Sequence, residues 1–269
     1  MNTYTGDRTE GLAGGPANES PVSAEAFLDV VRPIIDQVAT TQLDAVQAAA
    51  DVVATAVLDG GVIHAFGTGH SQATAMEIAG RAGGLIPTSR IALTDLVFYG
   101  DEDPATVADP TFERDPTLAE RLYDAAPIDP RDVFVIASNS GINGSVVGLA
   151  QCVKDRGHKL VAITSLQHSA RVDSRHPSGK KLTEVADVVL DNGGPYGDAV
   201  LPLPTGGATG AVSSITAALL AQLLMAEVVR RLIDAGETPP VYLSANVPDG
   251  DAHNNALLDR YAGRIRRGG

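Results

Sequence analysis

The sequence predicts an α/β fold in which a parallel sheet is covered by helices on both faces. Three observations carry this expectation. Short apolar runs recur at residues 62–66, 133–137, 160–164 and 185–190, each the length of a buried strand. The first two run into a turn rich in Gly and Ser and then into a helical pattern, which is the texture of strand–turn–helix units. A chain of 269 residues with 44% apolar and 20% charged side chains is long enough for one substantial core.

Taken in order, residues 1–20 are rich in Gly, Asn, Thr and Ser and read as a disordered tail. A helical arm is expected over 21–58. Apolar residues recur there at helical spacing: Phe27, Val30, Val31, Ile34, Ile35 and Val38, then Val46, Ala49, Val52, Val53, Ala56 and Val57. Ser23 can cap its start, Gly60-Gly61 ends it, and Pro33 is placed to split or kink it. Such an arm must pack on its own core or on a partner subunit. The strand–turn–helix texture then occupies 59–265. Val62-Ile63-His64-Ala65-Phe66 leads into Gly67-Thr68-Gly69-His70-Ser71 and a helix to about Ala82. Val133-Phe134-Val135-Ile136-Ala137 leads into Ser138-Asn139-Ser140-Gly141 and a helix to about Arg156. A long helix from about Thr209 to Ala235 closes the core, stopped by Gly236 and Pro239-Pro240. Between Pro87 and Pro130 the chain is acidic and interrupted by prolines. We expect one short strand near Ile91, one helix over 118–125, and otherwise a solvated insertion, with no role assigned to residues 100–115.

Lysine plus arginine number 20 against 33 acidic residues, a net charge of −13 that argues against nucleic acid or an anionic membrane as partner. A small anion remains compatible, because backbone N–H groups can hold it locally. The single cysteine, Cys152, rules out an internal disulfide; its apolar neighbours predict a buried thiol. No secretory signal or membrane-span pattern is present, which gives a cytoplasmic expectation.

The loop Ser138-Asn139-Ser140-Gly141-Ile142-Asn143-Gly144-Ser145 surrounds a glycine with small hydroxyl side chains at the mouth of a helix. Glycine lets the backbone curl closely, the helix start offers N–H donors, and the hydroxyls add hydrogen bonds, which together suit a phosphate. A capped helix start built from ordinary turn residues explains the same segment taken alone. A nucleotide-binding Gly-Lys-Ser/Thr loop is absent. Gly67-Thr68-Gly69 resembles half a dinucleotide fingerprint, but Gln72 stands where its third glycine belongs, so no nicotinamide cofactor is expected. No histidine pair has helical metal-site spacing, and we expect no metal.

Gly-Thr-Gly-His-Ser and Ser-Asn-Ser-Gly, each between a strand and a helix, resemble the SIS (sugar isomerase) domain. Arg81-Ala82-Gly83-Gly84-Leu85, Ser174-Arg175-His176-Pro177-Ser178-Gly179-Lys180, Asp191-Asn192-Gly193-Gly194-Pro195-Tyr196-Gly197-Asp198 and Leu243-Ser244-Ala245-Asn246 narrow the likeness. They resemble single-domain bacterial proteins grouped with phosphoheptose and phosphosugar isomerases. The resemblance implies a three-layer α/β/α sandwich with a five-stranded parallel sheet, a phosphorylated sugar as ligand, no cofactor, and a dimer or tetramer sharing residues between active sites. It also implies Ser138, Asn139, Ser140, Gly141 and Asn143 as phosphate ligands, with Gly69, His70 and Ser71 against the sugar. Many SIS loops carry Ser or Thr where this one has Asn143, whose amide can still donate.

Aldose–ketose isomerisation needs a group that takes a proton beside the carbonyl and returns it one carbon away. Glu77 is the carboxylate candidate. It lies six residues beyond Ser71, about 9 Å along a regular helix and about 120° around it, which keeps it from a ligand at its own helix mouth and leaves a neighbouring subunit's site as the one it could line. A surface ion pair with Arg81 at i+4 is the plain alternative. His253 is the acid–base candidate, on a polar stretch after an apolar run. His64 reads as a satisfied core residue, His158 and His168 as exposed, and His176 as part of a basic loop with Arg175, Lys180 and Lys181. An isomerase leads. A sugar-phosphate lyase or etherase sharing the first proton abstraction, and a non-catalytic sugar-phosphate sensor, remain open.

Overall fold

The described residues begin with two helices because Ser23 and Gln42 punctuate a long apolar stripe. The computed structural model describes residues 22–266; the expected tail over 1–20 lies outside the described residues. Helix α1 (Ala24–Thr41) starts where the Ser23 hydroxyl accepts the Ala26 N–H at 3.1 Å. Pro33 neither splits nor bends the chain out of this helix. Proline removes one helical hydrogen bond, and here the residues around the lost bond, Asp29 and Pro33, are exposed. The break comes instead at Gln42, before α2 (Leu43–Leu58). Its side chain has other work: Oε1 accepts the Asp191 N–H at 2.9 Å.

Strand β1 (Ile63–Gly67), helix α3 (Gln72–Ile78) and strand β2 (Thr88–Ile91) follow. The 87–130 segment then makes two single turns, α4 (Asp95–Phe98) and α5 (Pro104–Val107), before α6 (Leu118–Ala125), on the residues expected. Strand β3 (Val133–Ala137), α7 (Gly144–Asp155), β4 (Lys159–Thr164), the short α8 (Leu166–Ser169) and α9 (Leu182–Val185), and β5 (Val188–Asp191) complete the sheet. A hairpin, β6 (Ala199–Pro202) and β7 (Ala208–Ala211), precedes α10 (Ser213–Asp234). Helix α11 (Gly250–Leu258) and a single 3-10 turn over Asp259–Tyr261 close the described order. The expected helix from Thr209 thus starts four residues later. The left-handed Gly206, Gly207 and Gly210 (φ 92°, 78° and 79°) shape the hairpin and its second strand instead.

The five main strands are all parallel in the order β2-β1-β3-β4-β5, in register Ile63 with Thr88 and Val133, and Val133 with Lys159. Alternate side chains divide between two cores. Ile63, Ala65, Val133, Val135, Val161 and Ile163 pack under α2, α3 and α10; Phe66, Phe134, Ile136, Leu160 and Ala162 pack under α6 and α7. Helix α2 is therefore a layer of the domain, with Val46, Ala49, Val53 and Val57 buried, while α1 buries only Val31 and Val38. This is the expected α/β/α sandwich. Among the described residues no helix is long and apolar enough to cross a membrane.

Cys152 is buried as expected, and burial pushes its thiol up to about 11. Two histidines at the start of the sheet differ from expectation. His158 is buried rather than exposed: Nδ1 donates to the Asp132 carbonyl at 3.0 Å and Nε2 accepts from the Tyr123 hydroxyl at 2.8 Å. It sits directly after the Gly157 turn, which folds the ring back onto Phe134. His64 is in the core with Nε2 on Asp132 at 2.9 Å, yet its Nδ1 has no partner, so it is only half satisfied.

Candidate functional site

Sheet order changes direction between β1 and β3, and in open parallel sheets the crevice beyond the strand ends at that point receives ligands. A cavity of about 560 Å³ lies there, floored by the loops that follow β1 and β3. In the first loop, Gly67 must be glycine, because a Cβ would enter the Ser71 carbonyl, and Gly69 takes a left-handed φ of 53°. In the second, Gly141 has φ 67° and donates its N–H to the Ser138 hydroxyl at 3.1 Å, closing the turn. The loop also leans on β5: Asn192 Nδ2 donates to Asn139 Oδ1 at 3.1 Å.

Most residues expected at the site come together. Gly69, His70, Ser71, Ser138, Asn139, Ser140 and Asn143 all line the cavity, and Gly141 forms the turn behind them. The side chains of Thr68, His70, Ser71, Ser140 and Ser214 line it too, and among the described residues none makes a hydrogen bond within the chain. Polar groups that face a cavity without partners are ready to meet a polar ligand.

Asn143 is engaged at both ends of its amide: Nδ2 donates to Glu113 Oε1 at 2.7 Å, and Oδ1 accepts from Arg175 Nη1 at 2.8 Å. It bridges an anion and a cation at the rim, and the second N–H of its NH₂ is left to donate to a ligand. Glu113 comes from the acidic stretch expected to be a solvated insertion. The stretch is largely exposed, but its 113–116 portion lies on the first turn of α7. A Cβ on Gly144 would enter the Arg114 carbonyl, and one on Gly148 would come within 3.0 Å of the Pro116 carbonyl. The Ser145 hydroxyl donates to the Glu113 carbonyl at 2.6 Å.

Glu77 and His253 do not line this cavity. Glu77 is paired with Arg81 and accepts from Gln222 Nε2 at 2.7 Å. His253 Nε2 donates to the Val241 carbonyl at 3.1 Å, and Val241 bridges to Leu85, ahead of β2 and away from the cavity end. Sequence reasoning missed several lining groups. His168 is half-buried, not exposed; its ring packs at a tilt of 49° against Tyr196, centroids 5.3 Å apart, and Nδ1 accepts the Gly197 N–H at 3.3 Å. Asp198 holds a left-handed φ of 68° so that its carboxylate caps α10, accepting the Ser213 N–H and hydroxyl at 2.7 Å each. The signal for this wall was the unusual 191–198 segment.

Comparison with known proteins places this geometry in a family. The SIS domain matches residues 26–165. A UPF0309 protein of Listeria monocytogenes is 40% identical over 242 residues, covering 89% of this chain and 97% of the relative. The UPF0309 protein of Halalkalibacterium halodurans is 38% identical, covering 85% and 93%. In fold, the chain is similar to a phosphoheptose isomerase from Francisella tularensis, with TM-score 0.53, 17% identity, and coverage of 77% of this chain and 96% of that one. It is also similar to the phosphoheptose isomerase GmhA of Neisseria gonorrhoeae, with TM-score 0.50, 18% identity, and coverage of 77% and 96%. With the domain matched across its first two strand–turn–helix units and the relatives aligned over most of the chain, the protein belongs to the SIS domain family and is a relative of its UPF0309 members.

Proposed function

We propose that the cavity takes a phosphorylated sugar, with the phosphate on the Ser138–Gly141 turn, and that the protein interconverts its aldose and ketose forms through an enediol. One observation carries this reading: unpartnered hydroxyls and two left-handed glycine turns converge at the sheet's switch point. Arg175 adds a positive charge at the same rim, and the remaining donors of its guanidinium suit a phosphate oxygen. The names of the similar folds, both phosphoheptose isomerases, agree with a phosphosugar. Glu77 and His253 enter this reading as groups lent by a second copy, since neither serves its own cavity. The protein then works as a dimer or tetramer, and sedimentation equilibrium at micromolar concentration should find no monomer.

A thermal-shift panel tests the reading. Aldose and ketose phosphates of five to seven carbons are compared with the same sugars unphosphorylated and with inorganic phosphate. A ligand at 100 times its dissociation constant stabilises by about 2.7 kcal/mol, so at least one sugar phosphate should raise the midpoint clearly. If none does better than its unphosphorylated sugar, the reading is rejected.

A further inference from the structure

We infer that Glu113, in place of Glu77, carries the substrate proton, in the cavity of its own subunit; this rests on the proton-transfer reading above. Two carboxylates line the cavity, Glu113 and Asp198. Asp198 is spent on the start of α10, where Oδ1 accepts the Val212 and Ser213 N–H groups at 3.1 and 2.7 Å and Oδ2 accepts the Ser213 hydroxyl at 2.7 Å. Glu113 is half spent. Its Oε1 is anchored on Asn143 Nδ2 at 2.7 Å, and Oε2 lies 3.5 Å from the position a Cβ on Gly69 would take. The carboxylate therefore reaches from the second loop to the first, with one oxygen held and the other facing the site.

Its surroundings fix that pose. Arg175 occupies the carbonyl end of Asn143, so only the amide NH₂ is left to face Glu113. The Glu113 backbone is tied to Ser145, and Gly144 and Gly148 let the following residues lie against α7. Phe112, next in the chain, packs on the core beneath α6 and α7. A proton carrier needs this combination of a rigid mount and one unengaged lone pair at the reacting carbon. Asn143 acts through Glu113 and is a positioning residue.

In the step, Oε2 takes the proton from the carbon beside the carbonyl. The C–H electron pair becomes the carbon–carbon double bond of an enediolate, and the carbonyl π pair moves onto its oxygen. Glu113 returns the proton to the neighbouring carbon, while the hydroxyl proton passes between the two oxygens through water at the cavity mouth. The carboxylate is regenerated, and the sugar changes only the position of its carbonyl.

The test follows deuterium uptake beside the carbonyl by proton NMR in D₂O, using ribulose 5-phosphate, fructose 6-phosphate and sedoheptulose 7-phosphate as probes. Wild type should exchange at least one of them. Glu113→Gln should bind that probe within about threefold of wild type by calorimetry yet exchange about 10²–10⁴ times more slowly. Glu113→Asp, which keeps the charge and draws it back by one methylene, should recover part of the rate. Asn143→Asp sets a second carboxylate beside Glu113 and should move the acid limb of the exchange profile upward by about a pH unit. Undiminished exchange in Glu113→Gln would overturn the assignment and leave the sugar-phosphate reading standing. An unmoved acid limb in Asn143→Asp would remove Asn143 from its positioning role. A wild type that binds a probe without exchange overturns proton transfer altogether, and one that binds no probe overturns the proposed function as well.

Discussion

The two ends of the sheet handle polar groups in opposite ways. At the end where the strands start, Asp132 is buried and fully engaged. Oδ1 accepts the Val62 N–H at 2.7 Å and Arg264 Nη2 at 2.6 Å, and Oδ2 accepts His64 Nε2 at 2.9 Å and the Asp129 N–H at 2.8 Å. The backbone carbonyl of the same residue holds His158. At the end where the strands finish, hydroxyls, an imidazole and one oxygen of Glu113 face a cavity without partners among the described residues. The first arrangement is closed and stabilises the fold; the second is open and is available to a ligand. Burial alone would raise the Asp132 pKa, but the hydrogen bonds from His64 and from the Asp129 and Val62 N–H groups outweigh it and hold the carboxyl below its ordinary value.

The largest expected effect lies at the closed end. Asp132→Ala strands His64, Arg264 and the Val62 N–H together, and should cost about 3–5 kcal/mol in denaturant unfolding. If the two ends are independent, sugar-phosphate affinity of the folded fraction should not change. A loss of affinity equal to the loss of stability would erase the distinction between them.

Gly144→Ala comes next. Its Cβ would meet the Arg114 carbonyl, so the 113–116 segment must lift from α7 or α7 must shift. Overpacking of this kind costs about 1–3 kcal/mol. Here stability and ligand response should fall together, because the displaced segment carries Glu113. Unfolding curves and the thermal-shift response to a bound sugar phosphate, taken on the same variant, check this.

The smallest effect is a pH dependence at the closed end. Burial holds the His158 pKa below its ordinary 6.5. As pH falls through 6.5 the unfolded chain takes up a proton that the folded chain refuses, so stability should begin to decline there. Asp132, held below its ordinary 3.8, adds a second decline at lower pH, complete as pH falls through its folded value. Burial also lowers the His176 pKa below 6.5, so midpoint against pH should show the first decline in wild type and a weaker one in His158→Gln.

What the chain disclosed locally was legible in its sequence, and what depends on distant partners was not. The apolar runs named the strands, Ser23 named its cap, and the small hydroxyl residues after Ala137 named the loop. The β6–β7 hairpin escaped because its strands are four residues each and its Gly206-Gly207 turn runs into a helical pattern. His158 looked exposed beside Gly157 and Lys159, and its burial depends on Tyr123 and Asp132, far away in sequence. Glu113 was hidden in an acidic stretch because its place at the cavity depends on Asn143, thirty residues on. Two signals pointed to it. Gly144 and Gly148 leave a face of α7 open to another backbone, and an amide at 143 carries its donor and its acceptor on two separate atoms, where a hydroxyl carries both on one.

The central claim is that the open end holds a phosphate through the Ser138–Gly141 turn. Isothermal titration of wild type and of Ser138→Ala combined with Ser140→Ala, with a sugar phosphate found in the thermal-shift panel and with its unphosphorylated sugar, tests it most directly. Hydrogen bonds to a charged acceptor are worth about 1.5–3 kcal/mol each. The folded double variant should therefore lose at least tenfold in affinity for the phosphorylated ligand and much less for the other. Equal affinity for the sugar phosphate in both proteins would contradict the account.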